Sequence, residues 1–291
     1  MTLEQRFGAF VNEIQANGWR VHGVEVYHGG ALAHRWGDTE RNRYPVYSVT
    51  KTITSLAAGM AADEGKLDLD ASVLTYLPPE TVQTMPDSQR ETYRLITLKR
   101  LLSMSVGGYP FRPEGESWLK DALKVPLEHP ETPVFEYSNI SAYLVGVAAA
   151  CAVKEDLYQY LNRRLFAPLA IDHPPCGRCP DGWFYGASQM ALTVNELSRV
   201  GLLLANGGEY GGKRIVSEAY VLEATSVQQM NREGGYGYFL WKYRDGFSIN
   251  GKWGQKCYVL PEKKLMITYL SDMEQGSGAI KTSMEKWLLD A

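Results

Sequence analysis

The 291-residue chain has no apolar run long enough to cross a bilayer. The longest, Ala142 to Val153, falls short of the roughly 20 residues a span requires and reads instead as a buried core helix. Runs of Lys or Arg are absent, and 30 basic against 33 acidic side chains leave a formal net charge of -3, so the electrostatic footprint of a nucleic-acid or anionic-membrane partner is missing. A secretory leader is not recognisable at Met1–Arg6. Leu3, Phe7, Phe10, Val11 and Ile14 instead mark an amphipathic helix ending near Gly18, and the expectation is a cytoplasmic protein. Cysteine is scarce at four residues, with a single C-x-x-C at Cys176 and Cys179. That pair could be half a zinc site or a redox couple, but no second pair and no spaced histidines complete a metal set, so a plain reduced loop is expected there. Of five histidines, His22, His28 and His34 fall in a first hairpin and His129 and His173 in proline-rich loops, none well placed as a general base. Internal repeats and low-complexity segments are lacking.

What is present is a mixed pattern. Val21 to Tyr27 and Ala31 to Trp36 read as strands joined at Gly29-Gly30. Between Lys66 and about Trp183, helical segments are broken by proline-rich loops. Thr193 and Glu196 form a capping box ahead of Leu197, Val200 and Leu204, closed by Asn206-Gly207-Gly208. Tyr236–Tyr243, Phe247–Ile249, Lys256–Leu260 and Leu265–Leu270 read as strands, and Ile280 to Leu289 as a last helix. The economical assembly is an α/β (α+β) fold: one central antiparallel sheet built from both chain ends and flanked by helices, with a mainly helical lobe inserted. This assigns residues 1–65 and 184–291 to the sheet lobe and 66–183 to the helical lobe, with the cleft between them as the default site.

The chain is organised around Tyr47-Ser48-Val49-Thr50-Lys51. Residues three apart in a helix share a face, so Lys51 can reach the hydroxyl of Ser48, the minimal arrangement for an activated serine nucleophile. Ser-x-x-Lys recurs at Ser117–Lys120 and Ser283–Lys286, so at least two of the three are accidental. Context favours Ser48, which sits where an extended run turns into the apolar helix marked by Ile53, Leu56, Ala57, Met60 and Ala61 and stopped by Gly65. The alternative is an ordinary N-cap serine beside a solvated lysine.

Two further stretches supply what a nucleophile needs. In Phe135-Glu136-Tyr137-Ser138-Asn139, a phenol and an amide at i and i+2 point the same way if the loop is extended. Tyr160 and Asn162 repeat the pattern, but Leu157, Tyr160, Leu161 and Leu165 form a helical stripe that makes Tyr160 core. In Asn250-Gly251-Lys252-Trp253-Gly254-Gln255, glycines let a strand edge approach a ligand, and a free backbone N–H there can join that of Ser48 in an oxyanion hole. The bland reading of this third stretch is a glycine bulge.

In order and content these three stretches resemble the serine β-lactamase and penicillin-binding-protein superfamily. The connecting text, including Gly65–Asp70, Leu101–Ser105 and Gly211–Val216, is similar to its class C branch, and the likeness runs from about Gly23 to Asp272. The resemblance implies an acylated Ser48, a proton shared by Lys51 and Tyr137, Asn139 holding the substrate's amide or ester carbonyl, and no metal or organic cofactor. It leaves open whether Lys51 is the base, which needs its pKa lowered by about 3 units, or a cation stabilising a Tyr137 phenolate. Lys252-Trp253-Gly254 matches the K-x-G of penicillin-directed members. Gly251-Lys252-Trp253-Gly254-Gln255 also fits the G-x-x-G-Q of family esterases and amidases. The second register is favoured; it makes Lys252 an oxyanion-hole N–H and puts Ile249 where a carboxylate-binding cation normally stands.

The reading that follows is a serine hydrolase cleaving a small-molecule ester or amide through an acyl-enzyme on Ser48. A β-lactamase or D-alanyl-D-alanine carboxypeptidase is the alternative within enzymes, with Lys252 or Arg112 supplying the missing cation. A non-catalytic binding or sensing module of the same fold is the alternative outside them. No nucleic-acid or membrane partner is expected, and nothing in the sequence sets an oligomeric state.

Overall fold

A computed structural model describes residues 1–290. Helix α1 (Leu3–Ala16) is opened by a capping box between Thr2 and Gln5 and buries Phe7, Phe10, Val11 and Ile14. Strands β1 (Val21–His28) and β2 (Ala31–Gly37) follow, joined through Gly29 and Gly30, whose φ values of 61° and 83° are those a two-residue hairpin turn demands. Helix α2 (Val49–Asp63) is buried from Val49 to Ala61. Helix α3 (Asn139–Val153) is apolar on every side, and it packs inside the protein as such a helix must. Helix α4 (Val194–Ala205) carries the capping box of Thr193 and Glu196. Four strands close the chain, β3 (Trp241–Tyr243), β4 (Gly246–Gly251), β5 (Gln255–Leu260) and β6 (Leu265–Ser271), with helix α5 (Ser277–Met284) after them.

The six strands form one antiparallel sheet in the order β2-β1-β6-β5-β4-β3, so the two chain ends meet where β1 pairs with β6, Val24 opposite Tyr269. From Lys66 to Trp183 every regular element is helical. Alternation along the strands gives the sheet two apolar faces. Val24, Val26, Tyr258, Ile267 and Tyr269 pack under α1 and α5, while Ile249, Cys257, Val259, Met266 and Leu270 join the larger core shared with α2, α3 and α4. Among the described residues no helix is long and apolar enough to cross a membrane.

Two expectations about elements need correction. The strand read over Tyr236–Tyr243 shrinks to β3, because the chain turns at Phe239 (φ 58°) and Tyr236 makes only isolated bridges, to Gln229 and Trp241. Two small sheets also went unread, Tyr44–Pro45 with Ala191–Leu192 and Glu209–Tyr210 with Lys213–Arg214. Strands of two residues are too short to show a period. The first of them matters, because it ties the segment entering Ser48 to the segment that follows Gly186.

Candidate active site

Tyr44–Pro45 delivers the chain to the N-terminus of α2, and Tyr47 there takes a left-handed φ of 49°. Ser48 stands at the N-cap position in helical conformation and makes no side-chain capping bond. Its hydroxyl is therefore free of the bland role that the sequence left open. One turn on, Lys51 is 1% exposed and its Nζ lies 3.0 Å from Ser48 Oγ. The rival strings lack this burial: Lys120 and Lys286 are exposed, and Ser117 and Ser283 serve a helix start and the buried face of α5.

Lys51 Nζ donates to Asn139 Oδ1 at 2.6 Å and to the Ala187 carbonyl at 2.9 Å. Both oxygens can only accept, so they take two N–H groups of the amine. If the amine is neutral its lone pair is left for the Ser48 hydroxyl. Burial pushes the Lys51 amine down to about 7 from its ordinary 10.5, and no cationic neighbour contributes. The phenol of Tyr137, whose ring Lys51 Nζ approaches to 4.9 Å, is pushed the other way, up to about 12, by burial, against the stabilising approach of the Ser48 hydroxyl. A lysine with its pKa near 7 beside a phenol that keeps its proton has the chemistry a base and acid pair would need.

Asn139 is the first residue of α3, and Ser138 before it is extended (φ -136°, ψ 144°), so Tyr137 and Asn139 do share a side of the chain. Ser138 caps α3 through the Ile140 N–H and donates its own hydroxyl to the Pro110 carbonyl at 2.8 Å. The Asn139 carboxamide is held at its other end too, with Nδ2 donating to the Tyr185 hydroxyl at 3.0 Å. Tyr137 stacks on Trp241 (5.7 Å between centroids) and meets Tyr236 edge-on, which makes that side of the cleft aromatic.

The third stretch comes up beside Ser48. β4 ends at Gly251, paired with Gln255, and residues 252–254 form the turn into β5. A Cβ on Gly251 would sit 2.3 Å from the Val46 carbonyl, so glycine is what lets the strand end lie against the backbone leading to Ser48. Tyr47 and Trp253, both in left-handed conformations, meet edge to face at 5.0 Å across this contact. Among the described residues neither the Ser48 N–H nor the Lys252 N–H is given to another backbone carbonyl. The Lys252 side chain is exposed, with Nζ 4.7 Å from the centre of the Trp253 ring, and so does not supply a buried cation. Ile249, two residues back on the same face of β4, is fully buried.

Tyr185 and Ala187 were missed by sequence reasoning. Ala187 acts through its carbonyl, which no sequence pattern reports, and Tyr185 had no spacing to set it apart from the core. Tyr160 is core, with its hydroxyl donating to Glu64 at 3.1 Å. His22 and His34 stack on Tyr44 and Phe7, away from Ser48. All four cysteines are free thiols, and Cys179 lies 3.4 Å from the Tyr143 hydroxyl.

A mixed sheet-and-helix fold with these three stretches gathered at one cleft defines the class. The Beta-lactamase family model matches residues 10–287, and the chain belongs to that family. It is 30% identical over 142 residues to Protein flp of Staphylococcus aureus (strain MW2), which takes in 45% of this chain and 27% of that protein, so the match spans about a quarter of the relative's length. Among solved structures, a Bacillus anthracis protein described as a 6-aminohexanoate-dimer hydrolase superposes with a TM-score of 0.78 at 19% identity, covering 96% of this chain and 80% of its own. A β-lactamase from Mycobacterium bovis superposes with a TM-score of 0.68 at 19% identity, covering 96% and 99%. At such identities the likeness is one of fold.

Proposed function

We propose that the protein is a serine hydrolase that cleaves small esters or amides through an acyl-enzyme on Ser48. The observation that carries this reading is the hydrogen-bond arithmetic at Lys51: two acceptor-only partners use two of its N–H groups, and burial lowers its pKa to about 7, so in the neutral form present near that pH a lone pair is left for the Ser48 hydroxyl.

The steps follow from those positions. Lys51 takes the Ser48 proton as Oγ adds to the substrate carbonyl, and the Ser48 and Lys252 N–H groups receive the oxyanion. Tyr137 passes its phenol proton to the leaving oxygen or nitrogen and regains one from the Lys51 ammonium. Water then attacks the Ser48 ester with Lys51 again as base, releasing the acid and restoring the serine. Asn139, through the Nδ2 hydrogen that Tyr185 does not take, holds an amide or ester carbonyl of the substrate other than the one under attack, and Gly251 and Trp253 shape the strand edge beside Ser48. A β-lactam or D-alanyl peptide substrate would call for a cation at the Ile249 position, where the side chain is apolar and buried, so that reading ranks second. Four free thiols suit a reducing compartment such as the cytoplasm.

The test is covalent labelling. A fluorophosphonate should add one adduct to the intact protein and none to Ser48→Ala; labelling that survives the substitution would sink the reading and favour a binding module.

A further inference from the structure

The two sides of Ser48 are chemically unlike. Tyr137, the group able to protonate a leaving atom, is walled by Trp241 and Tyr236, with Phe135 packed edge-on against both. On the other side, Asn139 forms part of the wall of a cavity of about 490 Å³, lined also by Arg112, Glu114, Trp118, Tyr185, Ser188 and Gln189. The Trp118 ring meets Tyr185 edge-on at 4.9 Å, an aromatic patch in a lining that is otherwise mostly polar. Since the leaving group must lie over Tyr137, the acyl group extends past Asn139 into this cavity.

Arg112 is the one cation that lines it. Its side chain is 68% exposed, and its Nε lies 3.9 Å from Glu114 Oε1, beyond hydrogen-bond range. Among the described residues the Nη edge of the guanidinium has no partner, and that fork is the geometry that receives a carboxylate in two parallel bonds. Its positive charge also bears on the Tyr185 phenol in the cavity wall. Glu114, 81% exposed, lines the same cavity and meets Arg112 from the Nε side as a long ion pair, which leaves the Nη atoms for a second carboxylate.

We infer that the acyl group of the substrate carries a distal carboxylate, bound by Arg112 at the mouth of the cavity, with its methylenes lying on Trp118 and Tyr185. The inference rests on the hydrolase reading above. The reaction is an ordinary hydrolysis: the half-ester of a short dicarboxylic acid transfers its acyl group to Ser48 Oγ, the alcohol leaves with the proton, and water releases the diacid.

The experiment compares p-nitrophenyl hydrogen glutarate with p-nitrophenyl pentanoate, which are matched in length and differ in the terminal charge. The wild type should favour the glutarate in kcat/KM by about tenfold, as a partly exposed charge-assisted contact allows, and raising the salt concentration should shrink the preference. Arg112→Gln should bring the ratio near one, Arg112→Lys should restore part of it, and Arg112→Glu should invert it, each variant being checked for folding by circular dichroism. A wild-type ratio at or below one, or a ratio untouched by Arg112→Gln, overturns this inference while leaving the hydrolase reading intact. Turnover of neither ester, with no adduct on Ser48, removes both.

Discussion

The Asn139 carboxamide is pinned at both ends, its oxygen by Lys51 at 2.6 Å and its nitrogen by the Tyr185 hydroxyl at 3.0 Å, so a tyrosine 46 residues away decides which way the amide faces. Tyr185→Phe removes the tether while keeping the ring against Trp118. A net hydrogen bond of about 1 kcal/mol corresponds to about fivefold in kcat. The pH dependence separates positioning from mere packing. An Asn139 oxygen that drifts from Lys51 stabilises the ammonium less, so the midpoint of the kcat/KM profile should move to lower pH. A purely structural role would lower Tm and leave that midpoint where it was.

The Lys51 amine, held near 7 by burial, makes two pH predictions. Activity requires the neutral form, so kcat/KM for a neutral ester should rise as pH increases through about 7. Stability follows the same sign. Between about 7 and 10.5 the unfolded chain binds a proton on Lys51 that the folded protein does not, so unfolding free energy from this group increases with pH across that window and is flat below it. Lys256, pushed down to about 8 by burial and the Lys281 charge, adds a contribution of the same sign. Denaturation curves of wild type and Lys51→Met across this range isolate the first: the variant should show the shallower rise and no covalent labelling.

Gly251→Ala should cost activity out of proportion to its size. The new methyl would press on the Val46 carbonyl at 2.3 Å and on the Gln255 Cβ at 2.8 Å, prising the end of β4 from the segment that enters Ser48. Overpacking of this kind costs about 1–3 kcal/mol. Because Lys252 is the next residue, fluorophosphonate labelling should slow more than tenfold while the protein stays folded at 25 °C, a comparison of rate against Tm that separates the two effects.

Glu196 should matter for stability alone. It closes the capping box of α4 through the Thr193 N–H at 2.9 Å and also receives the Arg43 guanidinium, with Nε at 2.9 Å and Nη2 at 2.5 Å. Both side chains are largely buried, at 26% and 10% exposed, so removing one partner strands the other. Glu196→Ala is expected to lower stability by about 3 kcal/mol and Glu196→Gln, which keeps the cap, by about half that, as read from urea midpoints.

Much of this was legible because it is local. Capping at Thr193 and Glu196, the turn at Gly29-Gly30 and the short apolar, β-branched and aromatic runs of β5 and β6 each depend on residues within a few positions of one another, where local pattern is informative. The strand read from Tyr236 onward failed for the same reason in reverse: Phe239 adopts a left-handed turn to hydrogen-bond Leu102 through its N–H and Thr52 through its carbonyl, both distant in sequence.

The sequence by itself determined that Ser48 and Lys51 share a helical face, that Tyr137 and Asn139 share a side of one extended segment, and that Gly251 ends a strand able to approach another backbone. Those are consequences of helix and strand periods. Only the tertiary structure decided which of three Ser-x-x-Lys strings has a lysine sealed from water, because burial is set by what packs over α2 and not by α2 itself. It also decided that the two N–H acceptors of Lys51 are an amide 88 residues away and a carbonyl 136 residues away. The spacing can put an amine beside a hydroxyl, but whether that amine carries a proton depends on the protein folded around it.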